Sequence, residues 1–266
     1  MINWTLFKQE IKNNYRLTII FVFILILYTA IIIAMYDPQF ASSLEQMSQS
    51  MPEIFAAFGM ANISTNLTEF LINYLYGFLY LIFPIVFIIL VTNNLIVKYV
   101  DKGSMSYLLA TPNKRSKIIA NQAMVALFLS FIIIIFLTLF CIIIGEILFP
   151  GDMDIKGLIL VNIGLFGLWT FIASLSFLSA CVFNESRKSI GISVGIIIYS
   201  ILVQMLSQFN DKLDFLKYLT PLSLFNSLEI LKGDMKYILL FILLYLVSVG
   251  FYFIGIKVFK RKDLSL

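Results

Sequence analysis

The chain has 266 residues, of which 61% are hydrophobic and only 13% are charged, about half the charged share of an ordinary globular protein. It contains no histidine, which excludes imidazole-dependent catalysis, HExxH zinc sites and histidine-ligated haem. The net charge of +4 comes mainly from basic residues beside apolar runs, so it does not indicate nucleic-acid binding.

Six charge-free runs, each 20 to 28 residues long, divide the sequence. Each run is long enough to cross a hydrocarbon core of about 30 Å as a helix. We therefore expect an all-α polytopic membrane protein that forms a single domain over residues 1–266. The predicted spans are residues 17–36, 70–97, 118–145, 157–184, 189–210 and 237–256.

The segment before the first span has its own apolar pattern. Ile2 or Trp4, Phe7 and Ile11 recur at helical spacing. Residues 2–14 are therefore predicted to form a helix in the membrane interface, with a simple polar flank as the alternative. Residues 51–60 are apolar enough to form another short surface helix.

The basic residues predict the orientation of the chain. With both termini inside, 14 of the 19 lysines and arginines fall on the inner side, and the outer segments hold only five. Because lysine and arginine accumulate on the cytoplasmic side of membrane proteins, both termini are predicted to be cytoplasmic.

The second predicted span contains polar residues and a proline. Asn73, Tyr80 and Pro84 share roughly one helical face, which suggests a substrate path; the alternative is that the tyrosines of this span are interfacial anchors. A proline inside a helix also frees a backbone carbonyl and tends to kink the helix.

Two further sequence features concern packing. Gly191 and Gly195 in the fifth span would let another helix approach closely, either within the chain or from a second subunit. The outer segment 211–236 is apolar but is interrupted by Pro221 and Gly233. It is predicted to form two short helices, or a re-entrant hairpin, that cover the outer face.

The inner loop at residues 98–117 is too apolar for a simple linker. Gly103 permits a sharp turn, Ser104 can cap a short helix, and Pro112 ends it. A short amphipathic helix of this kind can lie on lipid or dock into a groove of a partner. The apolar stripe of the predicted helix comprises Met105, Leu108 and Leu109, and the basic residues Lys114 and Arg115 follow it.

The run DKGSMSYLLATPNKR at 101–115 resembles the E-x-G-t-x-e-x-L-L-a-t-P-x-s-R stretch of ATP-binding-cassette (ABC) type-2 exporter permeases. The sequence LTPL at 219–222 is similar to part of the paired outer helices of that family. Two residues depart from the pattern, namely Asp101 in place of glutamate and Gln122 in place of lysine.

The resemblance implies that helix 104–112 is a coupling helix that inserts into a cleft on a separate ATPase chain. It further implies two ATPase copies that carry ATP and Mg, no cofactor on this chain, and a second permease copy or a related permease. In that arrangement Met105, Leu108 and Leu109 would anchor the contact. Lys114 and Arg115 would pair with acidic groups of the ATPase or with lipid headgroups.

The absence of a phosphate-binding GxxxxGK[ST] motif agrees with ATP hydrolysis by another chain. The expected function is export of a hydrophobic or amphipathic substrate from a bacterial cell, with a peptide toxin or peptide-like antibiotic favoured. The alternatives are an ion-gradient-driven carrier or channel, and a membrane scaffold or sensor subunit that transports nothing. An intramembrane enzyme is disfavoured because the predicted spans hold no histidine and no charged residue.

Overall fold

The computed structural model describes residues 3–36, 66–110, 113–209 and 211–262, with isolated positions between 47 and 54. This described part of the chain is helical and contains no β-strand. Six of its helices are long and apolar enough to cross a membrane. The predicted all-α polytopic class is therefore confirmed. The predicted surface helix at 51–60 lies largely outside the described residues.

Eight α-helices are described. They are α1 (Trp4–Met35), α2 (Leu67–Asp101), α3 (Met105–Leu109), α4 (Arg115–Leu148), α5 (Ile155–Val182), α6 (Ser186–Phe209), α7 (Ser227–Leu231) and α8 (Met235–Arg261). Several begin at a side chain that accepts a backbone N–H hydrogen bond, as expected for Asn and Asp at helix N-caps. These N-caps are Asn3, Asn66, Asp154, Asn226 and Asp234.

Helix α1 is continuous from Trp4 to Met35, so the prediction of a separate interfacial helix at 2–14 is wrong. Asn3 caps the helix, and neither glycine nor proline interrupts the sequence that follows. Of the predicted stripe, Phe7 is buried in the bundle, whereas Trp4 is 63% exposed. The buried face of α1 comprises Phe7, Glu10, Asn14, Thr18, Phe21, Leu25, Thr29 and Ile33.

Helix α5 lies at the centre of the bundle. It packs along α8 and also contacts α2, α4 and α6. About two thirds of its most apolar stretch, 67%, is buried inside the chain, against 28% for α1 and α6 and 22% for α8. The apolar surfaces of α1, α6 and α8 therefore face outward, toward lipid or another subunit.

One end of the bundle gathers the start of α1, the segment between α2 and α4, the α5–α6 turn and the end of α8; we call it the terminal end. Several hydrogen bonds hold it together over long sequence separations. Asn13 Nδ2 donates to the Tyr99 hydroxyl (3.4 Å), and Lys262 Nζ donates to the Phe183 carbonyl (2.7 Å). The start of α1 and the end of α8 therefore lie at the same end of the bundle.

The opposite end is covered by the segment between α6 and α8. It forms two 3-10 helices, Asp211–Leu219 and Pro221–Leu224, before α7. Leu222 and Ile230 are buried, and the Thr220 hydroxyl donates to the Ser200 carbonyl (3.0 Å). The prediction of short covering helices is confirmed, although there are three of them rather than two.

Candidate functional site: the terminal end and the buried polar groups

Helix α3 is set by the turn that precedes it. Gly103 has a φ of +69°, a left-handed conformation that glycine adopts without strain. Its N–H donates to the Val100 carbonyl (3.0 Å), which closes the turn after α2. Ser104 does not cap α3 as predicted, because its hydroxyl donates instead to the Tyr99 carbonyl (3.3 Å). The serine therefore ties the start of α3 back to the end of α2.

The apolar stripe of α3 faces the bundle. Met105 is fully buried, with 0% of its surface exposed, and Leu108 packs half-buried against the same core. Met105 is therefore inaccessible to a partner in this structure, contrary to its predicted role as a docking anchor. Burial of this side chain instead fastens α3 to the helix bundle. Pro112 and the side chain of Leu109, which are also predicted to take part in the coupling, lie outside the described part of the structure.

The exposed face of α3 carries Tyr107, which the sequence analysis missed. Its side chain is 80% exposed. Tyr107 lies two residues after Met105, about 200° around the helix, so inward packing of Met105 directs it outward. Tyrosine combines a large apolar ring with a polar hydroxyl and is enriched at protein interfaces. If α3 contacts a partner in this conformation, Tyr107 is the side chain best placed to do so.

Arg115 is predicted to pair with a partner or with lipid, yet it contacts its own chain. Its Nη1 donates to the Lys262 carbonyl (3.2 Å), immediately after α8. Lys262 in turn reaches the Phe183 carbonyl, and burial lowers the pKa of its ammonium group to about 8. These bonds connect the start of α4 to the end of α8 and to the α5–α6 turn. Lys114, in contrast, is exposed at the N-cap of α4.

Pro84 leaves a backbone acceptor in the middle of α2 without its helical donor. The carbonyl four residues earlier belongs to Tyr80. It accepts a hydrogen bond from Trp169 Nε1 on α5 (3.0 Å), which satisfies the freed acceptor. The helix is locally π-helical over Ile72–Leu79, directly before Tyr80. The proline therefore creates a specific bond between α2 and α5.

The predicted substrate-path residues lie in the packed interior. Tyr80 is buried, and its hydroxyl shares a hydrogen bond with Thr29 (2.6 Å) on α1. The same hydroxyl lies 3.6 Å from the sulfur of Cys141 on α4. Asn73 and Pro84 are also buried. In this conformation Tyr80 connects α2 to α1 and α4, and a substrate path through the three predicted residues stays a prediction.

Gly191 and Gly195 do not pack closely against any helix in the described part of the chain. A Cβ atom added at either position would meet nothing within 4 Å among the described residues. Close packing within the chain occurs instead on α5, where a Cβ at Gly167 would lie 2.8 Å from the Tyr245 ring and one at Gly164 3.1 Å from Ile230. The predicted contact of Gly191 and Gly195 with another subunit stays a prediction.

The terminal end also holds a buried carboxylate that the sequence analysis did not identify. Glu10 on α1 is 1% exposed and accepts hydrogen bonds from Gln122 Nε2 on α4 (3.0 Å) and Asn13 Nδ2 (3.3 Å). The spacing of Glu10, Asn14 and Thr18 along one face of α1 is the sequence signal that could have indicated it. Among the described residues, no group of histidine, cysteine or acidic side chains is arranged to hold a metal ion.

A model of the ABC-2 family of transporter proteins matches residues 4–264, nearly the whole chain. The chain therefore belongs to the ABC-2 transporter permease family. It is the transmembrane subunit of an ABC transporter, and membership of this family implies an ABC ATPase as its partner. No curated protein matches the chain.

Proposed function

We propose that the chain is the permease subunit of an ATP-driven exporter in a bacterial cytoplasmic membrane, with its terminal end in the cytoplasm. The observation that carries this proposal is α3, a short helix anchored by Met105 at the terminal end and presenting Tyr107 outward. The basic residues concentrated at this end support the same orientation. In this arrangement α3 is the coupling helix, and two ATPase copies bind ATP and Mg.

The packing of α3 suggests how movement of the ATPase would reach the spans. Met105 and Leu108 fix α3 to the core, and the Ser104 hydroxyl ties it to the end of α2. On the other side of α3, Arg115 connects the start of α4 to the end of α8 through the Lys262 carbonyl. Displacement of α3 would therefore act on α2, α4 and α8 together and shift the bundle between two packing states.

A second permease copy, or a related permease, would pack on α6. The open face at Gly191 and Gly195 supports this, since two small residues four apart allow close helix approach in a membrane. The long apolar surface of α6, of which only 28% is buried within the chain, leaves room for such a neighbour.

The proposed substrate is a hydrophobic or amphipathic molecule, with a peptide toxin or peptide-like antibiotic favoured. The interior between α1, α2, α4 and α5 offers uncharged polar groups, such as the Tyr76 hydroxyl bonded to Asn162 (2.7 Å). Groups of this kind suit the backbone and polar side chains of a peptide better than they suit an inorganic ion.

The partner assignment is tested by purifying the tagged chain from native membranes and assaying vanadate-sensitive ATP hydrolysis. We expect an ABC ATPase to co-purify with the wild type, and Tyr107→Asp to reduce its recovery at least tenfold. Tyr218→Asp is the matched control, because Tyr218 is 81% exposed near the opposite end. Equal recovery of the ATPase with both variants would refute docking through α3.

The substrate is tested in the reconstituted complex. Amphipathic peptides should stimulate ATP hydrolysis, and transport should stop without ATP. Transport that follows an ion gradient and persists without ATP would instead indicate a carrier. ATP hydrolysis that no cargo stimulates would indicate a scaffold or sensor subunit.

A further inference from the structure

A polar cavity of about 220 Å³ lies at the terminal end, between α1, the end of α2 and the turn before α3. This volume is smaller than the roughly 300–1,000 Å³ of a pocket for a drug-sized ligand. It suits a compact polar group. Its lining includes Glu10, Asn13, Lys98, Tyr99, Lys102 and Ser104.

The Glu10 carboxylate is almost completely buried yet has no cationic partner in the described part of the chain. Its hydrogen-bond donors are neutral groups: Gln122 Nε2 at 3.0 Å, Asn13 Nδ2 at 3.3 Å and the Tyr99 hydroxyl. No lysine or arginine among the described residues forms an ion pair with it. Because a buried charge without a counter-charge is costly, the carboxylate favours a cation in the cavity.

The lysines of the cavity identify the rest of the ligand. Lys98 and Lys102 line the same cavity and are exposed, whereas Glu10 is buried. A metal cation would meet a single carboxylate beside two positive charges, which is a poor site for it. A ligand with an ammonium group at one end and an anionic group at the other would satisfy both sets of side chains.

The position of the cavity along α1 matches the lipid headgroups. Helix α1 has 32 residues and is about 48 Å long, so it exceeds a hydrocarbon core of about 30 Å. If residues 16–35 cross that core, Glu10 lies about 9 Å beyond its edge, within the headgroup layer. The neighbouring residues Lys8, Lys12 and Arg16 are exposed, as expected for side chains that meet phosphate groups.

We propose that this cavity binds a phosphoethanolamine group, with the primary ammonium at Glu10 and the phosphate at Lys98 and Lys102. The amide of Asn13 and the hydroxyl of Tyr99, which lie 3.4 Å apart, form part of the wall between these two ends. The group can come from a phosphatidylethanolamine lipid or from a free headgroup. Because Ser104 lines the cavity beside α3, the bound group would contact α1, α2 and the turn before α3.

The test uses short-chain phosphatidylethanolamine and its mono-, di- and trimethylated analogues, with affinities for the purified permease measured by native mass spectrometry. Methylation removes N–H donors one at a time without changing the phosphate. We expect affinity to fall stepwise, by at least tenfold from the primary amine to the trimethylated analogue. Equal affinity across the series would overturn the proposal. This arm uses the unmodified chain without ATPase or nucleotide, so its outcome is separate from that of the proposed function.

Variants locate the site. Glu10→Gln should lower the affinity for the primary amine at least tenfold and remove the preference within the series. Glu185→Gln, at an exposed residue paired with Lys188, is the control and should change neither. Lys98→Ala should weaken all four lipids about equally. Retained discrimination in a folded Glu10→Gln protein would contradict the assignment of the ammonium to Glu10.

A final arm identifies the source of the ligand. Glycerophosphoethanolamine carries the same head without acyl chains. If it binds as tightly as the short-chain lipid, the cavity takes a soluble phosphoethanolamine. If it binds at least tenfold more weakly, the cavity takes the membrane lipid. Absence of binding by both probes would overturn the proposal.

Discussion

Trp169 on α5 donates a hydrogen bond from Nε1 to the Tyr80 carbonyl on α2, at 3.0 Å. That carbonyl is the acceptor that Pro84, which has no N–H, leaves without its usual partner. Tyr80 and Trp169 are both fully buried, so the donor and the acceptor depend on each other. A proline that would weaken an isolated helix thereby sets the contact between two helices.

Trp169→Phe should lower the free energy of unfolding by about 1–3 kcal/mol, because it leaves a buried carbonyl without a donor. Thermal unfolding in detergent measures the change. Trp4→Phe, at the other tryptophan of the chain, which is exposed, is the control and should have little effect on stability. In a Pro84→Ala background the restored N–H can satisfy Tyr80, so there the cost of Trp169→Phe should shrink. If Trp169→Phe destabilises the Pro84→Ala protein as much as it destabilises the wild type, the hydrogen bond to Tyr80 is not the source of the destabilisation.

The two faces of α3 should respond differently to truncation. Met105→Ala should destabilise the permease by about 2–5 kcal/mol, because it removes a fully buried side chain. Tyr107→Ala should change stability by only about 0.5 kcal/mol or less and should instead weaken ATPase binding. Unfolding midpoints and ATPase recovery for the same two variants separate these effects. The reverse pattern would mean that α3 presents its other face.

Substitutions of the glycines should fall into two groups, those that destabilise the single chain and those that affect only its association with a second copy. Gly167→Ala should destabilise the single chain by about 1–3 kcal/mol, since its Cβ would lie 2.8 Å from the Tyr245 ring. Gly191→Leu should leave the single chain stable but reduce cross-linked permease dimers at least tenfold. Gly250→Leu is the control, because Gly250 on α8 also faces open space. Dimers that survive Gly191→Leu and Gly195→Leu would remove α6 from the subunit interface.

The half-buried Lys262 ammonium should make stability depend on pH. Burial lowers its pKa from 10.5 to about 8, so the folded chain releases this proton at a lower pH than the unfolded chain. Below about pH 8 both states hold the proton, and the cost of burying the charge is present in full. Between about pH 8 and 10.5 the unfolded chain binds more protons, so stability should rise with pH.

Lys262→Met should abolish this rise. Thermal midpoints of the wild type and the variant, compared at several pH values across that window, measure it. As pH increases, the thermal midpoint of the wild type should rise relative to the thermal midpoint of Lys262→Met. Lys260→Met, at an exposed lysine two residues earlier, should keep the wild-type dependence. A constant difference between the wild type and Lys262→Met would contradict the effect of burial.

The sequence predicts the spans well because each depends on a local property, an uninterrupted apolar run. The turn at Gly103 is similarly local and is present in the structure. Which face of α3 packs inward is not local, since Met105 and Leu108 fit a groove of a partner or of the same chain equally well. The burial of Glu10 depends on Gln122, 112 residues further along the chain. Sequence patterns within one helix could not bring these two residues together.

The most direct test of the central claim replaces Tyr107 with a photoreactive phenylalanine analogue in cells that express the native partner. Irradiation should cross-link α3 to an ABC ATPase chain, identified by mass spectrometry. The same analogue at Tyr218 should capture no ATPase. Cross-linking of position 107 only to lipid, or capture of the ATPase from position 218 as well, would contradict coupling through α3.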